Sequence, residues 1–241
     1  MKGDKLYIVM PCYNEEENIN NVVLEWYPII EKIANGSKLV VVNDGSKDST
    51  LKILNKLSKK YKNLVVLDKE NGGHGDALLY GYNYALVNKA DYIFQTDSDG
   101  QTKASEFWEF WNEREEYDAI IGNRNNRKDG LSRIFVTKVL RIILFLIFGC
   151  FIIDANTPFR LIKYSTLCKY YSLIPEHFNL SNVMLSVFMI KNKDKVKFKE
   201  ITFMPRQGGV NSINLKKIIK IGFQAIKDFY QINKVTKGLS K

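Results

Sequence analysis

The sequence predicts an α/β fold in which a mostly parallel β-sheet carries helices on both faces. Over the first hundred residues, apolar segments of four or five residues alternate with helix-like segments of roughly 12 to 20 residues. Parallel strands require such long connections, and strands this apolar are typical of sheets buried on both faces. Polar motifs rich in Asp, Asn and Gly follow each apolar segment. They therefore fall at the carboxyl ends of the strands, where sheets of this kind bind ligands.

The predicted elements alternate in the order β-α-β-α-β-α-β. Further along, the region 103–122 is expected to contain an aromatic-rich helix that packs in the core and is followed by a strand at 119–121. The earlier strands are expected at 6–10, 39–42, 64–67 and 92–96, and the helices at 15–34, 49–61 and 76–90.

Length and composition predict one catalytic domain in a reducing compartment. The chain has 241 residues, of which 45% are hydrophobic and 26% charged, so it can bury a sizeable core. Its three cysteines, an odd number without Cys-x-x-Cys spacing, suggest neither disulfides nor a zinc site. Because a strand follows residues 1–5 directly, no signal peptide is expected.

The net charge of +10 lies entirely at the C-terminal end. Residues 1–190 carry 23 Lys or Arg and 23 Asp or Glu, whereas residues 191–241 carry 13 and 3. Apolar residues recur at helical spacing between the lysines of 215–229, which predicts a basic amphipathic helix. Such a helix can pack on its own domain or contact an anionic partner, either nucleic acid or a membrane with acidic lipids.

The most apolar stretch, residues 139–153, is predicted to be a core helix or an interfacial helix. Its uninterrupted apolar run, 142–153, has 12 residues, whereas a membrane-spanning helix needs about 20. Attachment to a membrane would therefore be peripheral, or would need a membrane partner subunit.

Two acidic residues one position apart end the fourth predicted strand. Side chains alternate along a strand, so Asp97 and Asp99 are expected on the same side. Mg²⁺ and Mn²⁺ prefer oxygen ligands and often bridge substrate phosphates, so this pair is a candidate diphosphate clamp. Taken alone, the segment could equally be a polar surface turn.

Four motifs in order resemble the GT-A domain of family 2 glycosyltransferases. They are residues 11–15 (Pro-Cys-Tyr-Asn-Glu), 43–46 (Asn-Asp-Gly-Ser), 71–75 (Asn-Gly-Gly-His-Gly) and 97–101 (Asp-Ser-Asp-Gly-Gln). The resemblance implies a GT-A fold, an inverting reaction and a nucleotide-sugar donor. It also implies that Asp44 recognises the base; the family often has Asp where this chain has Asn43, so uracil and guanine both stay open. The implied metal ligands for Mg²⁺ or Mn²⁺ are Asp97, Asp99 and Gln101, and the implied nucleotide-sugar ligands are Pro11, Tyr13, Glu15, Asn43, Asp44, Gly73, Asp97 and Ser98.

Three later motifs are similar to polyprenyl-phosphate sugar synthases, the dolichyl-phosphate mannose synthase group. They are residues 122–124 (Gly-Asn-Arg), 154–160 (Asp through Phe-Arg) and 206–212 (Arg through Ser). Guanidinium groups suit phosphate because they stay charged and bind bidentately. The implied catalytic residues are Asp99, Arg124 and Arg206, and the implied acceptor-phosphate ligands are Arg124, Arg133, Arg160, Arg206 and Ser212. The expected domain spans 1–212, with a nucleotide-sugar half at 1–101 and an acceptor half at 102–212, followed by a basic helix and tail at 213–241.

The acceptor is expected to be a polyprenyl phosphate. Many family 2 enzymes that glycosylate a hydroxyl have a late Glu-Asp pair that includes the general base, and residues 174–181 have no clear equivalent. A phosphate is already ionised and needs little help, although Glu176 or His177 could still serve. The predicted function is thus metal-dependent sugar transfer from a UDP- or GDP-sugar to polyprenyl phosphate at the cytosolic membrane face.

Three alternatives stay open. A family 2 enzyme acting on a hydroxyl of a surface glycan or lipid-linked oligosaccharide would keep the donor site. A nucleotidyltransferase would need a Gly-rich, basic signature after the first strand, which residues 11–14 lack. A nucleic-acid-binding protein would explain the basic end, but no nucleic-acid-binding motif is visible, so nucleic acid is not an expected partner.

Overall fold

The computed structural model describes residues 3–124, 131–205 and 224–233, with backbone only at 131–136. Within these residues seven strands form one sheet in the order β3-β2-β1-β4-β6-β5-β7. The strands are β1 Leu6–Cys12, β2 Lys38–Asp44, β3 Leu64–Lys69, β4 Tyr92–Gln95, β5 Ala119–Asn123, β6 Arg160–Lys163 and β7 Val196–Glu200.

Helices connect most of these strands. A 3₁₀ turn at Ala104–Glu106 precedes the short α4. The helices are α1 Ile19–Ile33, α2 Thr50–Lys60, α3 His74–Val87, α4 Phe107–Trp111, α5 Leu131–Phe148, α6 Tyr164–Tyr171 and α7 Ser181–Lys191, and residues 224–233 form a further helix, α8.

The sheet is mostly parallel, as predicted. β1 pairs in parallel with β2 and β4, β2 with β3, and β5 with β7. The exception is β6, which runs antiparallel between β4 and β5. The α/β fold predicted from the sequence is confirmed. Strands β6 and β7 and helices α6 and α7 were not predicted.

Helices cover both faces of the sheet because alternate strand residues point to opposite sides. In β1, Leu6, Ile8 and Met10 pack in a core with α1, α2 and α4. Tyr7 and Val9 belong to a second core with α3, α5, α6, α7 and α8. The central strand is thus buried over its whole length, which fixes its register against both neighbours.

Helix α1 begins at Ile19, four residues later than predicted. Tertiary contacts account for the delay. The Glu15 N–H donates to Thr50 Oγ1 at 2.8 Å, and the Glu16 carboxylate accepts from the Ser49 N–H at 2.8 Å. The loop before α1 is therefore tied to the start of α2.

The apolar segment predicted at 139–153 forms the second half of α5 and the turn after it. Leu144 and Phe148 are buried, whereas Ile142, Phe145 and Leu146 are between 55% and 75% exposed on the opposite side. Among the described residues, no helix is both long and apolar enough to cross a bilayer.

The predicted C-terminal helix lies mostly outside the described residues. Its described part, α8, packs on the domain: the Phe229 ring lies 5.8 Å from that of Phe148, and Asn233 Nδ2 donates to the Ile147 carbonyl at 2.7 Å.

Candidate active site

The candidate site lies where β2, β1 and β4 end side by side. The Ser98 hydroxyl, just after β4, donates to the Pro11 carbonyl in β1 at 2.9 Å. This bond holds the Asp97–Asp99 turn against the end of the central strand. Ser98 is buried, so its hydroxyl is committed to positioning the turn.

The loops after β1 and β2 brace each other. The Asn14 N–H donates to Ser46 Oγ at 3.0 Å, and the Lys47 N–H donates back to Asn14 Oδ1 at 2.8 Å. Asn14 has a φ of 54°, which Asn tolerates better than most residues. Tyr13 is half-buried between these contacts, and the buried Glu15 carboxylate accepts from Asn18 Nδ2 at 2.8 Å. The structure therefore brings the predicted nucleotide ligands of the first loop beside the Asp44 motif.

The Asp44 carboxylate accepts three hydrogen bonds. Its Oδ1 accepts from Lys69 Nζ and from the Gly72 N–H, both at 2.9 Å, and its Oδ2 accepts from the Gly73 N–H at 2.8 Å. Asn71 Nδ2 donates to the Asp44 carbonyl at 2.8 Å. The 71–73 turn is thus wrapped around this carboxylate, which is nearly buried.

Asn43 points away from Asp44, as neighbours in a strand do. Its Nδ2 donates to Asp68 Oδ1 at 2.7 Å, while its buried Oδ1 lacks a hydrogen-bond partner. The side chain is thus held against β3 by its amide nitrogen.

A chain of ionisable side chains extends from Asp44 along the start of α3. Lys69 Nζ lies 2.6 Å from Asp76 Oδ2, and His177 Nδ1 lies 2.8 Å from Asp76 Oδ1. Burial would raise the pKa of Asp76, but its hydrogen bonds and charge contacts with Lys69 and His177 lower it overall. The sequence alone does not indicate that Lys69 and Asp76 belong to this site, because only folding brings β3, α3 and the loop before α7 together.

The acidic pair fits a divalent cation. Asp97 Oδ1 is buried without a hydrogen-bond partner, and the imidazole nitrogen His74 Nε2 lies 3.9 Å away. Asp99 Oδ1 accepts from the Gln101 N–H at 3.1 Å, which shapes the turn. An unsatisfied carboxylate oxygen is costly unless a ligand completes it.

The segment that follows β7 holds the Gln101 side chain in place. Its Nε2 donates to the Met204 carbonyl at 2.8 Å, so Oε1 is the end that could reach a cation. No cluster of three or more His, Cys, Asp or Glu side chains suited to a metal occurs in the described parts of the chain. Asp97 and Asp99 would therefore need oxygen ligands from elsewhere, such as the oxygens of a diphosphate.

Arg124 and Asp154 form a bidentate ion pair at the end of β5. Arg124 Nε and Nη2 each donate to Asp154 at 2.8 Å, and Thr157 Oγ1 adds a bond to Asp154 at 2.7 Å. Both charged side chains are less than 10% exposed. The pair does not use Arg124 Nη1.

Arg160 does not have the exposed position expected for its predicted role as a phosphate ligand. It is 0% exposed, and its guanidinium donates to the carbonyls of Ala155, Thr157 and Asn182 and to Ser186 Oγ. All five N–H groups have partners, so none is left for phosphate in this arrangement. Burial lowers the pKa of Arg160 to about 10, which still leaves it charged at neutral pH. Arg160 therefore secures the 154–157 turn to α7. Of the other predicted phosphate ligands, Arg206 and Ser212 lie outside the described residues, as does the side chain of Arg133.

Comparison with known proteins identifies the family. The model of glycosyl transferase family 2 matches residues 7–172, which is more than half of the chain. The chain therefore belongs to glycosyl transferase family 2 and is a glycosyltransferase, as the motifs predict.

Its relatives include lipid-phosphate enzymes. An uncharacterised protein of Methanocaldococcus jannaschii is 31% identical over 91% of this chain and 96% of its own length. A dolichyl-phosphate beta-glucosyltransferase of Trichomonas vaginalis is 28% identical over 93% of this chain and 73% of its own. A UDP-N-acetylglucosamine–dolichyl-phosphate N-acetylglucosaminyltransferase of Methanococcus voltae is 29% identical over 68% and 72%. The predicted resemblance to polyprenyl-phosphate sugar transferases is confirmed.

A solved structure shares the fold. Glucosyl-3-phosphoglycerate synthase from Mycobacterium tuberculosis, in complex with Mn²⁺, UDP and glucosyl-3-phosphoglycerate, aligns with a TM-score of 0.70 at 16% identity. The alignment covers 96% of this chain and 81% of that one. The expected GT-A fold is thereby confirmed.

Loss of the Asp154–Arg124 ion pair should lower the stability of the fold strongly. Asp154→Ala leaves a nearly buried guanidinium without its partner and should lower the free energy of unfolding by about 3–5 kcal/mol. Urea denaturation measures this loss. The control is Glu115→Ala, which removes a 76%-exposed carboxylate from Arg114 and should cost at most about 1 kcal/mol. Equal effects from the two variants would contradict the role given to the pair.

Proposed function

We propose that this enzyme moves a sugar from a UDP- or GDP-sugar to a polyprenyl phosphate. The observation that carries the proposal is the pair of relatives named for dolichyl-phosphate acceptors, each aligned over more than two thirds of its own length. The paired Arg124 beside the strand ends supports it, because Asp154 does not engage Nη1 and a guanidinium suits a phosphate oxygen.

On the donor side, Asp97 and Asp99 would hold the cation, with Gln101 Oε1 as a further ligand. When bound, a divalent cation offsets the charge that develops on the departing nucleotide diphosphate. The Ser98–Pro11 bond keeps the acidic turn fixed, so little reorganisation is needed as the sugar leaves. Asp44, Tyr13 and Glu15 would line the nucleotide pocket.

On the acceptor side, a phosphate monoester is already an anion near neutral pH, since its second pKa is about 6. It can attack the anomeric carbon without a general base. Positioning by Arg124 then replaces deprotonation as the main task of the acceptor half.

Membrane attachment fits such an acceptor. The exposed residues of α5, Ile142, Phe145 and Leu146, lie three and four positions apart and so share one helix face. Phe151 and Ile153 in the following turn are also exposed. This apolar face would sit in the membrane interface on the cytosolic side, helped by the basic C-terminal end, with or without a membrane partner subunit.

One observation favours a second candidate, transfer to a hydroxyl of a glycan or lipid-linked oligosaccharide. His177 Nδ1 is oriented by Asp76 at 2.8 Å and its side chain is 76% exposed. An imidazole held by a carboxylate is a common form of general base. A hydroxyl acceptor would need such a base, whereas a phosphate would not.

The acceptor test compares His177→Ala with the unaltered enzyme, using polyprenyl phosphate and oligosaccharide acceptors. We expect activity on polyprenyl phosphate, and the variant should keep kcat within about threefold because no proton is removed. Activity confined to hydroxyl acceptors, with a loss of about 10²-fold or more in His177→Ala, would contradict the phosphate proposal and favour the second candidate.

The membrane test uses vesicles that contain acidic lipids. Replacing Ile142, Phe145 and Leu146 by Ser should lower the bound fraction in sedimentation at least about tenfold, because three apolar side chains no longer enter the interface. The control replaces three scattered exposed residues, Leu24, Tyr80 and Val87, by Ser. Equal binding by the two triple variants would contradict the proposed membrane face.

A further inference from the structure

The hydrogen bonds around Asp44 limit what base it can accept. A carboxylate offers about four lone-pair positions, two on each oxygen. Lys69 Nζ and the Gly72 N–H fill both positions on Oδ1, and the Gly73 N–H fills one on Oδ2. One acceptor position is left.

The three donors are themselves held in place. Lys69 Nζ also contacts Asp76 at 2.6 Å and the Glu70 carbonyl at 2.5 Å, so each of its three protons has a partner. Burial alone would lower the pKa of Lys69, but the carboxylates of Asp76 and Asp44 raise it overall, which keeps the donor protonated. Lys69 is thus a permanent part of the Asp44 environment at neutral pH.

The glycine turn is equally constrained. A Cβ on Gly72 would lie 2.2 Å from Asp76 Oδ2, and a Cβ on Gly45 would lie 2.8 Å from the Asn71 nitrogen. The Asn71 side chain bonds the Asp44 carbonyl. The turn therefore fits closely against Asp44 because glycines occupy these positions.

Uracil and guanine make different demands on a carboxylate. The Watson–Crick edge of uracil has one N–H, at N3, between two carbonyls. Guanine presents two neighbouring donors, at N1 and N2, and engages a carboxylate best with one oxygen for each. With Oδ1 already saturated, the second guanine donor would be left without an acceptor, which is costly in a desolvated site. Asn43 Oδ1 does not compensate, because that side chain points to the other face of the sheet.

We infer that the donor is a uridine nucleotide rather than a guanosine nucleotide, and that Lys69 sets this choice by occupying Asp44. The inference rests on the proposed role of Asp44 at the nucleotide site. Lys69 is a positioning residue here, since it acts through Asp44 and not on the base.

The test measures dissociation constants of UDP and GDP by titration calorimetry with Mn²⁺ present. The unaltered protein should bind UDP at least about tenfold more tightly than GDP. Lys69→Met frees a position on Asp44 Oδ1 and should bring the two constants within about threefold. The control Lys56→Met removes the same charge from the exposed face of α2 and should keep the original ratio. Thermal melting without ligand establishes that each variant is folded.

The outcomes distinguish a failure of the inferred base preference from a failure of the proposed nucleotide site. Equal or tighter GDP binding by the unaltered protein would overturn the inference and leave the glycosyltransferase function standing. This measurement needs only the unaltered protein, so it tests the inference even if Lys69→Met does not fold. An unchanged ratio in folded Lys69→Met would overturn the role of Lys69. Binding of neither nucleotide would instead overturn the proposed nucleotide site.

Discussion

The site depends on three parallel strands ending at one edge of the sheet. β1 is the central strand, and its seven buried residues are packed against helices on both sides. A slip of one residue would turn each core side chain to the wrong face, so packing fixes the register. With the register fixed, the ends of β2, β1 and β4 bring Asp44, Pro11 and Asp97 to the same edge. The placement of the candidate site residues is thus a consequence of how the core packs.

The reversed strand β6 extends the site beyond this parallel core. Because β6 runs antiparallel to β4, the chain that precedes it approaches the same edge where β4 ends. Arg160, the first residue of β6, then bonds the carbonyls of the 154–157 turn and joins them to α7. A buried cation in this position holds Asp154, and Asp154 in turn orients Arg124. The end of β5 and the start of β6 are connected to α7 through this arrangement.

Local pattern was enough to predict the α/β class, the first four strands and the motifs at their ends. The alternation of short apolar segments with helices carries that information along the chain. The direction of β6, the late start of α1 and the burial of Arg160 depend on contacts between distant segments, such as the bond from Glu15 to Thr50. The role of Lys69 could not be predicted, because a single lysine at a strand end indicates no function until β3 places it between Asp44 and Asp76. The roles of Arg206 and Ser212 stay predictions.

The proposed mechanism depends on Asp97 and Asp99 holding a divalent cation against the donor diphosphate. Anomalous diffraction from crystals grown with Mn²⁺ and UDP tests it most directly. We expect a manganese peak within coordination distance of Asp97 Oδ1, an Asp99 oxygen and the diphosphate, and no such peak in Asp97→Asn crystals. A nucleotide bound with manganese elsewhere, or a peak that survives in Asp97→Asn, would contradict it.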